Sequence, residues 1–297
     1  MKIVITGSLG HISKPLTREL VQKGHSVTVI SSKKDKQKDI ESLGAKAAIG
    51  SIEDVPFLTA TFTGGDAVYT MLPPPNFFDP NLEPMSHCRE LTDNYAQAIQ
   101  QSGVKRVVHL SSIGAHLSKG TGLIILHRQA EEFLDKLSNV GITFIRPVGF
   151  YYNLFAFLPG IKATGKIASN YGAEDKIPWV SPLDIAPVIG EELVTPIVGR
   201  KVRYVASEEL TCNEVARILG TAIGKPDLLW SLISNEELQS RYEKIGMNKA
   251  IVSGLVEMQA NMHNGPFYDD YHLNRPALGK VKTEDFAKEF ALAYQQS

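Results

Sequence analysis

Cysteine is almost missing from this 297-residue chain: Cys88 and Cys212 stand far apart, at no zinc-site spacing, and two thiols make no disulfide framework. A stapled secreted scaffold and a thiolate metal site are thereby set aside. Excess charge is missing as well. The 31 Lys and Arg against 32 Asp and Glu leave a formal net charge of −1, no electrostatic footprint for nucleic acid or an anionic lipid surface. No stretch is long and apolar enough to span a bilayer, and no basic segment followed by a cleavable apolar run opens the chain. Internal repeats and low-complexity tracts are also lacking. The expectation is a cytoplasmic protein that handles a small molecule, with neither nucleic acid nor membrane as partner and with no bound metal.

What the chain has in quantity is apolar side chain: 43% of its residues are hydrophobic, enough for one long α/β domain or one domain with a smaller lobe. The most informative stretch is KIVITGSLGHISKPL, Lys2 to Leu16, where an apolar strand (Ile3, Val4, Ile5) runs straight into Gly7-Ser-Leu-Gly10-His-Ile-Ser13 and then into a helix. Leu16, Leu20 and Val21 recur at helical spacing, and Pro15 suits a first turn. Such a turn suits a dinucleotide pyrophosphate. Its glycines let the backbone come close to the phosphates, and the following helix presents unpaired amides and a partial positive charge. Gly7 and Gly10 fill the first two small positions and Ser13 the third. The backbone of Gly7, Leu9, Gly10, His11 and Ile12 is expected to hold the pyrophosphate.

The next checkpoint is the end of the second strand, where an NAD site places a carboxylate on the adenosine ribose. Here Ser26–Ile30 runs into Ser31-Ser32-Lys33-Lys34. Hydroxyl and ammonium groups suit a 2′-phosphate, and no carboxylate stands there to repel one. Ser31, Ser32 and Lys33 are the candidate ligands, Lys34 onward reads as a solvated loop, and NADP(H) is expected over NAD(H).

Strand and helix signals keep alternating. Strands are expected at Ala45–Ile49, Asp66–Leu72, Arg106–Leu110 and Ile142–Ile145, and helices at Cys88–Gln101 and Gln129–Leu137. This order predicts an α/β fold of Rossmann type, a doubly wound parallel sheet with ligands at the carboxyl ends of its strands. Beyond Arg146 the pattern loosens. Pro147, Pro159, Pro178, Pro182 and Pro187 punctuate it, although Val202–Val205 reads as a strand and Asn213–Leu219 as a helix. Asp184 reads as a cap or first-turn residue. The expected division is an NADP-binding domain over residues 1–150 and a smaller, irregular substrate-binding lobe over 151–297, of which about 200–206 returns to the sheet.

Four stretches together resemble the NmrA-like branch of the atypical short-chain dehydrogenase/reductases: GSLGHISKPL, HLSSIG (His109–Gly114), RPVGFYYNL (Arg146–Leu154) and VSPLDIA (Val180–Ala186). Within that branch LIILHRQAEEFLDKLSNVGITFIRP is most similar to the small NADPH-dependent quinone reductases. The resemblance covers nearly the whole chain, and family members include reductases, epimerase relatives and NADP-binding regulators without chemistry. It also implies a departure. The wider superfamily carries a Tyr and, four residues on, a Lys; anchored on Ala130-Glu131-Glu132-Phe133-Leu134, the lysine position here is His127 and the tyrosine position Leu123.

Losing that pair discriminates among reactions. Reduction of an ordinary ketone develops an alkoxide, whose conjugate acid lies near the pKa of water, about 15.7, so a positioned acid matters greatly. A quinone develops a phenolate-like oxygen with a pKa nearer about 10, and proximity, orientation and a weak proton source suffice. His127 has two open roles: a hydrogen bond to the nicotinamide ribose, which the resemblance implies, and protonation of the reduced acceptor. Ser111 and Ser112 end the fifth strand where cofactor and substrate should meet, Ser111 toward the cofactor and Ser112 toward the reacting oxygen. Asn153 is a candidate nicotinamide contact, Tyr151 a substitute for the missing phenol with Tyr152 beside it, and Leu72 and Pro73 a wall beside the cofactor. The expected function is hydride transfer from NAD(P)H to a flat electrophile such as a quinone. The alternative is a non-catalytic NADP(H)-binding redox sensor that passes its state to a protein partner.

Overall fold

Short runs rich in Val and Ile, each followed by an amphipathic helix, assemble into a seven-stranded sheet in the computed structural model, which describes residues 1–296. The strands are β1 (Lys2–Ile5), β2 (Ser26–Ser31), β3 (Lys46–Ile49), β4 (Ala67–Met71), β5 (Arg106–Leu110), β6 (Gly141–Pro147), the short β7 (Gly149–Phe150), β8 (Lys166–Ser169), β9 (Lys176–Val180), β10 (Arg200–Val205), β11 (Glu208–Thr211) and β12 (Leu229–Leu232). The large sheet has the order β10-β6-β5-β4-β1-β2-β3, with every neighbouring pair parallel. A parallel sheet needs cover on both faces, and the strand residues divide accordingly. Ile3 and Ile5 join one core with Leu16 and Leu20 of helix Ser13–Gln22 and with Ile185, Ile189 and Leu193 of helix Pro182–Val194. Val4, Val68 and Val107 join the opposite core with Leu58, Phe62, Tyr95 and Leu134. Since β1 lies between β2 and β4, the strand order reverses beside it, and the crevice at its carboxyl end is where such sheets take ligands.

The fold is thus the Rossmann-type α/β architecture. Arg200–Val205 pairs with β6 as the edge strand of the large sheet, so the chain after residue 150 is not spatially separate from the first half. That half is also more regular than its prolines suggest. Pro159 and Pro182 sit in first turns, where the lost amide has no helical partner, and Pro187 is accommodated inside helix Pro182–Val194. Pro178 lies within β9, which pairs with β11 and β7 in a three-stranded sheet; β8 and β12 form a further pair. Helices Asn235–Lys244, Lys249–Asn264 and Thr283–Gln296 complete the second half. Ser181, not Asp184, caps helix Pro182–Val194; Asp184 sits in the first turn, where its carboxylate accepts from Ser207 Oγ (2.6 Å) and from the Lys280 and Val281 amides (both 3.0 Å). Trp179 and Trp230 are core residues. Among the described residues no helix is long and apolar enough to cross a membrane.

Candidate active site

The glycine turn has the backbone the sequence calls for. Gly7 has φ +85°, and a Cβ there would lie 2.8 Å from Ser13 Oγ; a Cβ on Gly10 would lie 3.2 Å from the Gly7 carbonyl. Ser13 Oγ donates to the Thr6 carbonyl (2.9 Å), so the third small position fastens the helix to the end of β1. Helix Ser13–Gln22 has no side-chain cap and no acid in its first turn, and the His11 and Ile12 amides go to no acceptor among the described residues. The result is an open, positively polarised helix end behind a close-approach turn, which fits a pyrophosphate.

A cleft of about 670 Å³ joins this turn to the end of β2. Ser31, Ser32 and Lys33 line it, as do Gly7, Leu9 and Gly10. Three further cations line it: Lys36, from the stretch expected to be a solvated loop, and Lys14 and Arg18, one turn apart on the helix after the glycines. Their i, i+4 spacing directly behind the glycine turn was the available signal. The cleft's one carboxylate, Asp39, is held by Lys36 at 3.4 Å. Ser31 takes a different part from the one expected. It is buried, and its hydroxyl accepts from Ser8 Oγ (2.9 Å) and from the Lys33 amide (3.2 Å), so it braces the glycine turn against β2. Ser32 and Lys33 are exposed to the cleft.

At the other end of the crevice the strand termini meet helix Ile125–Leu134. Leu72 packs on the core next to β4, and Pro73 is exposed. Ser111 is not a free ligand: its amide donates to Ile145 O (2.7 Å) and its hydroxyl to Glu131 Oε1 (2.5 Å). Glu131 is in turn gripped by Arg146, Nε to Oε1 at 2.9 Å and Nη2 to Oε2 at 2.6 Å, and Arg146 continues to Asp270 (3.2 Å) and Tyr204 (3.3 Å). Burial alone would lower the Arg146 pKa; the bonds to Glu131 and Tyr204 outweigh it and raise it. This buried network locks the helix that carries His127 to β6 and β10. Ser112 is half-buried, and its hydroxyl has no partner among the described residues.

His127 sits in the first turn of that helix with Nδ1 inaccessible and unpaired. Burial lowers its pKa to about 4, against a smaller opposing pull from Glu131. The lowered pKa favours the neutral ring, whose N–H is a hydrogen-bond donor. Leu123, at the tyrosine position, lies in an apolar cluster with Phe77 and Ile251, and Gly254 of helix Lys249–Asn264 comes so close that a Cβ there would sit 2.9 Å from the leucine side chain. Asn248 N and Nδ2 donate to Phe77 O (2.8 Å), Asp79 O (2.8 Å) and Leu82 O (3.0 Å), clamping this helix over the loop after β4.

Tyr151 is not the missing phenol. It is 1% exposed, lies between Trp179 and Phe286, and its hydroxyl donates to Glu208 and to the Val281 carbonyl, both at 3.4 Å. Burial, with Glu208 beside it, pushes its pKa up. Tyr152 is the one that turns to the cofactor side, stacked on exposed His11 at 4.7 Å and on Phe150 at 4.9 Å. Burial raises it to about 12. Asn153 is exposed, with no hydrogen bond to its side chain among the described residues. Among the described residues no three His, Cys, Asp or Glu are grouped to hold a metal.

The family model described as NAD(P)H-binding matches residues 7–156. The NAD(P)H azoreductase of Xenophilus azovorans is 24% identical over 263 residues, 87% of this chain and 86% of that protein. The (4-alkanoyl-5-oxo-2,5-dihydrofuran-3-yl)methyl phosphate reductase of Streptomyces griseus is 24% identical over 249 residues, 84% of this chain and 78% of that protein. In fold the chain is similar to the NADPH-dependent quinone oxidoreductase of Escherichia coli in complex with NADPH, with a TM-score of 0.79 at 17% identity over 97% of this chain and 99% of that one. The family match runs from the first glycine of the turn through β6 and into the loop after it, half of the whole, and the chain belongs to the NAD(P)H-binding family.

Proposed function

We propose that this protein is an NADPH-dependent reductase that passes hydride to a flat, electron-poor acceptor of the quinone class. The observation that carries the reading is what stands where an acid would be: a leucine clamped against Gly254, a neutral histidine with a pKa near 4, and a tyrosine turned into the core. None of them protonates an alkoxide in step with hydride transfer, so the acceptor must itself spread the developing charge. The nicotinamide supplies the hydride when it is bound. The chain's residues do the rest: the Gly7–Ile12 backbone and the open helix end hold the pyrophosphate, and Lys14, Arg18, Ser32 and Lys33 hold the 2′-phosphate. His127 offers its outward nitrogen to the nicotinamide end, and Ser112, Pro73 and Tyr152 line the acceptor's approach. The reductase names of the two relatives matched over most of the chain support the same reading.

The test is anaerobic NADPH oxidation against a panel of quinones and aldehydes, in the wild type and in His127→Ala. Turnover with quinones, little with aldehydes, and a loss in His127→Ala are expected. Protein that binds NADPH but oxidises it with no member of the panel sinks the proposal and favours a redox sensor.

A further inference from the structure

Between Ser112 and His127 the chain reads IGAHLSKGTGLIIL, with glycine at 114, 120 and 122. All three have positive φ, +82°, +75° and +50°, a backbone that glycine takes without strain. The Ala115 amide donates to the Ser112 carbonyl (3.3 Å), and Gly122 opens the short 3₁₀ turn that runs straight into helix Ile125–Leu134. Ser118 and Lys119 stand exposed at the tip. The loop is thus slung between the two residues placed at the reacting end, and it borders the space they share.

Two side chains grip its backbone from outside. Arg128 Nη1 donates to the His116 carbonyl (2.7 Å), and Asn261 Nδ2, on helix Lys249–Asn264, donates to the Gly120 carbonyl (2.7 Å). The second catch closes on an ill-matched seam. Asn261 Oδ1 and Thr121 Oγ1 are both inaccessible, and neither has a partner among the described residues, so parting the seam gives two polar groups access to water. Beside them Gly122 meets the same helix backbone to backbone: a Cβ there would lie 1.7 Å from the Gly254 carbonyl oxygen. With glycine on both sides, no side chain of either residue interlocks.

We propose that His116–Thr121 is a flap, hinged at Gly114 and Gly122, that lifts from helix Lys249–Asn264 to admit the acceptor between Ser112 and His127 and then settles back. The hinge glycines absorb the backbone rotation, water replaces the two catches at their carbonyls, and the unpaired groups of the seam are hydrated on opening. What passes beneath the flap rests on the reductase reading; the movement itself does not.

Hydrogen–deuterium exchange of the full chain, read by mass spectrometry, tests it. In the wild type the amides of 116–121 should exchange faster than those of β5 and of helix Ile125–Leu134. Saturating NADP⁺ together with a naphthoquinone, a pair between which no hydride passes, should slow them. Asn261→Asp keeps the shape of the side chain and sets an acceptor against the Gly120 carbonyl, so exchange across 116–121 should rise more than about tenfold, and the KM for a quinone should rise with it while the Kd for NADPH stays unchanged. Arg128→Met gives up the other catch and should raise exchange about tenfold; it decides alone if Asn261→Asp does not fold. Wild-type exchange as slow as in β5, or a rate indifferent to the variants, overturns the flap. Exchange that responds to the variants in a protein inert toward quinones fails the reductase reading and keeps the flap.

Discussion

Removing Arg18 should cut this protein's preference for NADPH about tenfold while leaving its grip on NADH intact. Lys14, Arg18 and Lys33 line the cleft at the end of β2, all exposed and engaged in no ion pair among the described residues, and the cleft's one carboxylate is occupied by Lys36. Exposure sets the scale. A unit charge pair about 4 Å apart is worth about 1 kcal/mol in water, and a phosphate monoester carries about −1.5 to −2 at neutral pH. Each cation then contributes about 1.5–2 kcal/mol before salt trims it. At 1.4 kcal/mol per factor of ten, Arg18→Ala should weaken NADPH about tenfold, and the variant also lacking Lys14 and Lys33 about a thousandfold. NADH lacks the phosphate, so its Kd should stay within about twofold. Calorimetric titrations with both cofactors, at low salt and near 0.15 M, would measure this, and the NADPH loss should shrink with salt. A wild type that binds the two cofactors equally, or an Arg18→Ala variant that loses both in parallel, would refute the assignment of this cleft to the 2′-phosphate.

The buried network around Arg146 predicts instability on a larger scale: Arg146→Met leaves Glu131 buried with its main partner gone, so unfolding by urea should show a loss of about 3–5 kcal/mol, much of it recovered when Glu131→Leu is added. The two neutral histidines predict acid sensitivity. With pKa values lowered to about 3 for His109 and about 4 for His127, their contribution is fully present above the unfolded value of about 6.5 and is lost as pH falls toward 3–4. Where both titrate, the slope should approach about 2.7 kcal/mol per pH unit, and His109→Phe should flatten it; a stability curve level from pH 7 to 4 would contradict the burial of both rings. Tyr151→Phe gives up only contacts at 3.4 Å, so kcat should be unchanged and stability should fall by less than about 1 kcal/mol. A tenfold fall in kcat would return Tyr151 to the chemistry.

Local signals in the sequence carried the glycine turn and the strands well. Arg106–Leu110 falls where its Val-rich run places it, and the other sheet strands shift by only a few residues at their ends. What local signals do not carry is which side a residue faces once the chain leaves regular structure. Tyr151 and Tyr152 are neighbours in one tight 3₁₀ turn, yet one enters the core beside Trp179 and the other stacks on His11. Nor do they show a hydroxyl's distant partner: Ser31 looks like a phosphate ligand until Ser8 comes across from the glycine turn, and Ser111 like a cofactor contact until Glu131 accepts its hydrogen bond. Lys14 and Arg18 were legible, since one helical turn behind a glycine turn puts them on the cleft side. The prolines after Arg146 misled because their meaning is positional: three of the five begin or sit within helices.

Strength in this site is divided by distance from the chemistry. In the proposed reaction the cations of the β2 cleft hold the phosphate end, where their binding energy is the same before and after hydride transfer and so anchors the cofactor without lowering the barrier. At the reacting end the side chains are neutral: His127 by burial, Leu123 by composition, Ser112 by nature. In the proposed reaction the rate gained there comes from holding two flat rings in register, for which the Glu131–Arg146 lock on the helix that carries His127 is the mechanical requirement. The proposed reaction suits acceptors that carry their own electron sink and offers little to a saturated ketone, whose alkoxide needs the phenol and ammonium of positions that hold Leu123 and His127 here.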